Sequence, residues 1–249
     1  MKLKDKLAVV VGASGGVGST LVAKLDEEGT KCVLVARQKE KLEKLIKSLS
    51  GKDHEYYTCD LADTDDVKRV FGKIAKKHKR IDLLFNAAGV GIYKGIEDLS
   101  LGEWNTTLLI NLYAPFLVTK TLMPSLERSE ESLVVSMGSG LGKKPYYSKR
   151  IGYIVSKFGL RGLSLALSRD HRKKRPKFML MTMGSILTSF GPGGLEKRLK
   201  LKEKGKMYLD PEWVVKKILN IIKEDKVEDE VTLYPSHYID ELKKTKPRK

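Results

Sequence analysis

The sequence predicts a single doubly wound (Rossmann-type) α/β domain over 1–249, with a seven-stranded, mostly parallel sheet and helices on both faces. Short apolar runs alternate with helix-period segments from end to end, the signature of repeated βα units. A glycine cluster follows the first of these runs at once and opens a helix. At 249 residues the chain can also bury one large core, since sheets of this class reach about 250 residues as one domain.

Each element has its own signal. Residues 6–11 (KLAVVV) are continuously apolar and stop at Gly12, as a strand buried on both faces must. Helical periodicity follows over 18–28 and ends at Gly29. Residues 31–36 (KCVLVA) give a second strand, 40–48 a charged helix, and 55–59 a third strand. A helix over 65–78, capped near Thr64, leads to a fourth strand at 81–86 (IDLLFN). One long helix is expected over 101–127, a strand over 132–136 (SLVVS), a helix over 153–169 and a strand over 177–181 (KFMLM). A helix at 211–223 and a short strand at 230–233 close the pattern. The exception is 188–207 (TSFGPGGLEKRLKLKEKGKM), glycine-broken and then basic, which reads as a substrate lid or as a plain surface excursion.

Composition excludes several classes. Cys32 and Cys59 cannot make a disulfide framework, and no metal-ligand spacing occurs around them or the four histidines, so no metal is expected. No apolar run approaches the ~18–20 residues of a membrane span, and the first residues do not read as a signal peptide. A cytoplasmic setting is the expectation. The 48 basic and 31 acidic residues give a net charge of +17. The excess gathers in 73–80, 143–150, 169–177, 196–206 and a basic tail at 243–249. Such runs can attract nucleic acid or an anionic membrane surface. Lysine dominates them and aromatics are absent from most, so a solvated cationic surface is the simpler reading.

Two patterns carry chemistry. Gly12-Ala13-Ser14-Gly15-Gly16-Val17-Gly18, spaced GxxxGxG, lies between a strand and a helix. Bare backbone can approach a pyrophosphate there, and the helix N-terminus supplies N–H groups and a positive dipole. Tyr153 and Lys157 form the chain's one YxxxK pair, on one helix face a turn apart. A nearby ammonium favours phenolate and lowers a pKa ordinarily about 10. Alone, the first pattern also fits a tight turn and the second a chance pair.

Their order decides. GxxxGxG, then Asn86-Ala87-Ala88-Gly89, Asn111, Ser139 and Tyr153-Ile154-Val155-Ser156-Lys157 resembles the short-chain dehydrogenase/reductase family along essentially the whole chain. The resemblance implies that Tyr153 gives or takes a proton and that Ser139 holds the substrate oxygen. It implies that Lys157 binds the nicotinamide ribose and lowers the tyrosine pKa, and that Asn111 keeps a relay water. It assigns Asp60 and Leu61 to the adenine, and Asn86, Ala87 and Gly89 to the wall beside the cofactor. Met183-Gly184, Ile186 and Thr188 stand where the family's Pro-Gly-x-x-x-Thr meets the carboxamide and pyrophosphate. The chain departs from the pattern at Val11 (commonly Thr), Met183 (commonly Pro) and Ser136 (commonly Asn). The Ser139-to-Tyr153 gap is one residue longer than usual. Ser136 is the rival serine, expected to belong to the strand, whereas Gly138-Ser139 lies just past its end. Tyr146 and Tyr147 read as pocket wall.

The second strand ends Val35-Ala36-Arg37-Gln38 with no acid until Glu40. An acid there would bond the ribose of NAD and repel a 2′-phosphate, whereas Arg37, aided by Ser14, suits the phosphate. NADP(H) is therefore the expected cofactor, with NAD(H) the alternative. The substrate class is a carbonyl or secondary alcohol. Lys143, Lys144, Lys149 and Arg150 would suit an anionic or carrier-attached substrate, or be merely solvated. The resemblance also implies a homodimer or homotetramer built on 101–127 and 153–169. Two other classes are a non-catalytic nucleotide sensor or scaffold, which has no need of Tyr153 with Lys157, and a binder of nucleic acid or membrane through the basic runs.

Overall fold

The computed structural model describes residues 1–51 and 53–245; of the basic tail expected at 243–249, residues 246–249 lie outside the described residues. Seven strands form one sheet: β1 (Leu7–Val11), β2 (Lys31–Ala36), β3 (Glu55–Thr58), β4 (Leu83–Asn86), β5 (Leu133–Met137), β6 (Lys177–Met183) and β7 (Glu230–Leu233). Their order is β3-β2-β1-β4-β5-β6-β7, and every pairing is parallel. The chain winds outward from β1 to β3, then returns to the other side of β1 at β4. Loops leaving β1 and β4 therefore diverge and open a crevice at the carboxyl ends of the strands.

The helices are α1 (Gly16–Glu27), α2 (Lys39–Lys47), α3 (Thr64–Lys77), α4 (Leu101–Leu108), α5 (Ala114–Glu127), α6 (Ile151–Asp170), α7 (Gly194–Glu203), α8 (Pro211–Lys223) and α9 (Pro235–Thr245). They cover both sheet faces. Ala8 and Val10 of β1 face a core shared with Leu21 and Leu25 of α1 and Val214, Ile218 and Ile222 of α8. Val9 and Val11 face the other core, with Val70, Phe71 and Ile74 of α3 and Val118, Leu122 and Leu126 of α5. Burial on both faces is why β1, β2, β4 and β5 read as apolar runs, unlike the edge strands β3 and β7.

Strand and helix boundaries follow the sequence to within one or two residues in most elements. The cap of α3 is Asp63 rather than Thr64, because its carboxylate accepts from both Asp65 N–H (2.9 Å) and Asp66 N–H (3.1 Å). The helix expected over 101–127 is interrupted by a π-helical turn, Leu109–Tyr113, whose end bonds Ala114 N–H to the Leu109 carbonyl. Pro115 has no N–H to offer the Asn111 carbonyl four residues earlier, so the α-helical ladder cannot run through this point. Two helices, α7 and α9, occupy stretches to which the sequence assigned no element. The former buries no residue and has no apolar stripe to betray it.

Asp82, just before β4, ties three elements together. Its carboxylate accepts from Leu7 N–H at 3.0 Å, from the Ser129 hydroxyl at 2.6 Å and from the Arg80 guanidinium at 2.8 and 3.0 Å. Burial opposes its ionisation, but these bonds together hold its pKa below the ordinary carboxylate value. Asp82→Asn should therefore lower stability at pH 7 by about 2–4 kcal/mol in denaturant unfolding. The folded pKa is depressed, so the contribution is complete above the unfolded value near ~3.9 and fades as pH falls through the folded one. The difference from the native chain should shrink below about pH 4; a pH-independent difference would contradict the assignment.

Candidate active site

The crevice is floored by the turn from β1 into α1. Gly12 stands at φ +85, and a Cβ on it would come 2.6 Å from the Ala88 backbone, so only glycine lets this turn seat against the loop after β4. The first turn of α1 has neither a side-chain cap nor an acidic residue. By contrast α3, α4 and α8 are capped by Asp63, Ser100 and Asp210 and carry acids in their first turns. The donors and the positive end of α1 are thus left for an anion, which fits the pyrophosphate of a dinucleotide. Thr188 lies directly on this turn: a Cβ on Gly16 would meet its Cγ2 at 2.6 Å.

The other expected cofactor positions surround this floor. Arg37 is exposed immediately after β2, and among the described residues it has no ion pair or hydrogen bond. The Asp60 carboxylate accepts from Ala62 N–H at 3.0 Å, while Leu61 lines a small apolar cleft with Val11, Asn86, Ala88 and Pro115. Asn86 ends β4 with its amide N–H donated to Thr119 at 3.4 Å and its buried Oδ1 unpartnered among the described residues. Ala87 N–H donates to the Val11 carbonyl, and Gly184 N–H to that of Leu233, both at 2.9 Å. Ile186 makes a parallel bridge with Leu209.

Asn111, Ser139, Tyr153 and Lys157 gather at one end of the crevice. Fully buried Asn111 accepts from Val90 N–H at 2.8 Å, and its amide donates to the Val90 carbonyl (2.9 Å) and Ser156 Oγ (3.0 Å). Ser156 in turn donates to the Tyr153 carbonyl at 2.8 Å. The π turn therefore clamps the loop after β4 to α6. Ser139 lies just past β5, accepts from Leu141 N–H at 3.2 Å and lies beside Tyr153, whose pKa it acts to lower. Ser136 lies inside β5, opposite Asn86 and Leu180. Lys157 Nζ donates to the Met137 carbonyl at 2.8 Å and sits 5.9 Å from the Tyr153 ring centroid.

Tyr153 is enclosed by Tyr93, edge-on with centroids 5.5 Å apart, and by Phe190 at 5.9 Å. Burial raises its pKa above the ordinary phenol value, outweighing the lowering by Ser139, Arg198 and Arg150. In this enclosed arrangement the Lys157 ammonium faces a carbonyl, and burial drives its own pKa down to about 8.

The model of the short chain dehydrogenase family matches residues 6–195, more than half of the chain, from β1 through β6 and including the first βα turn and α6. The chain belongs to that family. D-threitol dehydrogenase of Mycolicibacterium smegmatis is 29% identical over 192 residues, covering 76% of this chain and 74% of that protein. A 3-oxoacyl-[acyl-carrier-protein] reductase of Bos taurus is 29% identical over 196 residues, covering 79% and 82%. A crystal structure of a metagenomic short-chain oxidoreductase in complex with NADP superposes with a TM-score of 0.79 at 25% identity, covering 94% of this chain and 99% of that one.

In this short-chain dehydrogenase, sequence reasoning passed over the residues that close the site. Phe190 reaches Tyr153 from the segment after β6, and Arg198 of α7 pins that segment by donating to the carbonyls of Ile186 (2.7 Å) and Phe190 (2.6 and 3.0 Å). Their only signal was membership of 188–207. Removing the Phe190 ring should let water reach Tyr153 and lower its pKa. A phenolate absorbance titration of Phe190→Ala, with and without Tyr153→Phe, checks this. An unchanged Tyr153 titration would show that the ring does not control its burial.

Proposed function

We propose that this chain transfers hydride between NADP(H) and a carbonyl or secondary-alcohol substrate, with Tyr153 as general acid and base. The observation that carries the reading is buried Tyr153 with Ser139 and buried Lys157 beside it, at the end of a crevice floored by an uncapped helix N-terminus. In the reducing direction the bound nicotinamide supplies hydride to the carbonyl carbon. Tyr153 and Ser139 hydrogen-bond the carbonyl oxygen as it becomes anionic, and Tyr153 delivers its proton there. With a raised pKa the phenol is fully protonated near neutrality, as a proton donor must be. The family pattern supports Lys157 as ribose ligand and Asn111 as the anchor of a relay water.

Exposed Arg37 and the absence of an acid at the end of β2 support NADP(H), as does the NADP bound by the metagenomic relative. Reduction is the physiological direction under this reading. A homodimer or homotetramer is supported by Tyr113, Phe116, Val155 and Phe158, large apolar side chains exposed on the π turn, α5 and α6. Two buried, unpaired thiols, Cys32 and Cys59, support a cytoplasmic setting. Among the described residues, no helix is long and apolar enough to cross a membrane.

A screen of NADPH oxidation across ketones, aldehydes, quinones and 3-oxoacyl thioesters should find turnover. Tyr153→Phe should then lower it ~10²–10⁴-fold while NADPH still binds; retention of more than a tenth of the rate would remove Tyr153 as the acid. Arg37→Ala should weaken NADPH binding about 10–100-fold and leave NADH nearly unaffected. Equal affinity of the native chain for both cofactors would refute the NADP(H) preference.

A further inference from the structure

The mouth of the site carries positive charge without counter-charge. Arg150, at the start of α6, lies against two rings, its guanidinium carbon 4.5 Å from the Tyr93 centroid and 4.2 Å from that of Tyr147. Contact with the rings uses none of its N–H groups as hydrogen-bond donors, and among the described residues none of them meets an acceptor. Tyr93 is the ring that packs edge-on against Tyr153, so Arg150 stands one aromatic contact from the reacting hydroxyl.

Three further cations converge there. Arg198 and half-buried Lys206 both lie 5.5 Å from the Tyr208 centroid, and Lys197 follows on α7. Arg198 gives its N–H groups to carbonyls only, and none of the four has a carboxylate partner among the described residues. Burial, then repulsion from Arg150, Arg198 and Lys197, holds the Lys206 ammonium below its usual pKa. Burial raises the pKa of both Tyr93 and Tyr153, and Arg150 and Arg198 act against it at each, so their field reaches the reacting hydroxyl. Lysines elsewhere near the mouth differ. Lys94 is paired with Glu103 at 2.6 Å and Lys143 with Glu230 at 3.2 Å.

We propose that Arg150 and Lys206, in the field of Arg198 and Lys197, recognise an anionic group, carboxylate or phosphate, carried by the carbonyl substrate. The inference rests on the hydride-transfer reading and gives it a substrate class. Like charges crowded at a partly desolvated mouth repel one another, and an anion of the substrate relieves that repulsion while its carbonyl lies at Tyr153. A planar guanidinium held by two rings suits either oxyanion bidentately, with the Lys206 ammonium as a second point charge. The sequence had grouped Lys143, Lys144, Lys149 and Arg150 for such a role. Of these, Lys143 is spent on Glu230 and Thr232, and Lys144 lies over Tyr146.

The test compares matched carbonyl compounds with NADPH at low ionic strength: 4-oxopentanoate against its methyl ester, and dihydroxyacetone phosphate against dihydroxyacetone. At least one anion should exceed its neutral partner in kcat/KM by about ten-fold or more, with the advantage falling as salt is added. Whichever pair shows it distinguishes carboxylate from phosphate. Arg150→Ala and Lys206→Ala should each cut the anion-to-neutral ratio about ten-fold. Arg150→Lys, which keeps the charge but not the planar fork, should keep only part of the ratio, and Lys173→Ala, ahead of β6 at the amino end of the strands, should leave it unchanged. Turnover of neutral carbonyl compounds with a ratio near one, or a ratio indifferent to both alanine variants, overturns the anion site and leaves hydride transfer standing. Inertness toward these compounds and toward quinones, aldehydes and thioesters alike overturns the hydride-transfer reading, and the anion site with it.

Discussion

The contact between Gly12 and the Ala88 backbone, where a single methyl group would stand 2.6 Å from main-chain atoms, sets the depth at which the first βα turn meets the loop after β4. Because β1 and β4 are neighbours whose chains then run to opposite sides of the sheet, this is where an α/β sheet opens to a ligand. Moving that turn outward would displace the N-terminus of α1, the Asn86-to-Gly89 segment and, through Val90, the amide of Asn111. The phosphate end and the reacting end of the crevice are thus fixed by one approach of backbone to backbone. The same loop after β4 serves both.

Helix caps divide the same labour. Where α3, α4 and α8 spend an aspartate or serine on their first N–H groups, α1 spends nothing. An uncapped, non-acidic helix start at the deepest point of a crevice is unfavourable in isolation and favourable with an anion present. At the other end, burial does the tuning. Tyr153 and Lys157 are both taken out of water, which keeps the phenol neutral and brings the ammonium to about 8, within reach of physiological pH. Phe190 and Arg198 make that burial depend on the segment between β6 and α7.

Much of this was legible in the residues. Unbroken apolar strands, GxxxGxG and the YxxxK pair fixed the sheet, its cradle and the face of α6, because each is a local pattern with a local cause. The π turn at Asn111 was not read, although its cause, Pro115, is printed in the sequence; a proline four residues after a polar residue in an apolar helix was the available signal. The helix α7 left no trace because it buries nothing. The pairing of Lys143 with Glu230, distant in sequence, and the stacking of Arg150 on Tyr93 are tertiary facts that no spacing encodes. Nor could spacing tell that Lys157 would face the Met137 carbonyl, or that burial would be the main influence on the pKa of Tyr153.

The central claim is that Tyr153 and Ser139 hold a carbonyl while a nicotinamide delivers hydride to its carbon. It is tested most directly by tracing the hydride itself. NADPH dideuterated at the nicotinamide C4 would be incubated with the protein and a mixed panel of ketones, aldehydes, quinones and oxo acids, and the products read by mass spectrometry. The account predicts an alcohol with one deuterium on its carbinol carbon, absent with Tyr153→Phe. Alcohol formed without deuterium, or at an undiminished rate in that variant, would contradict it.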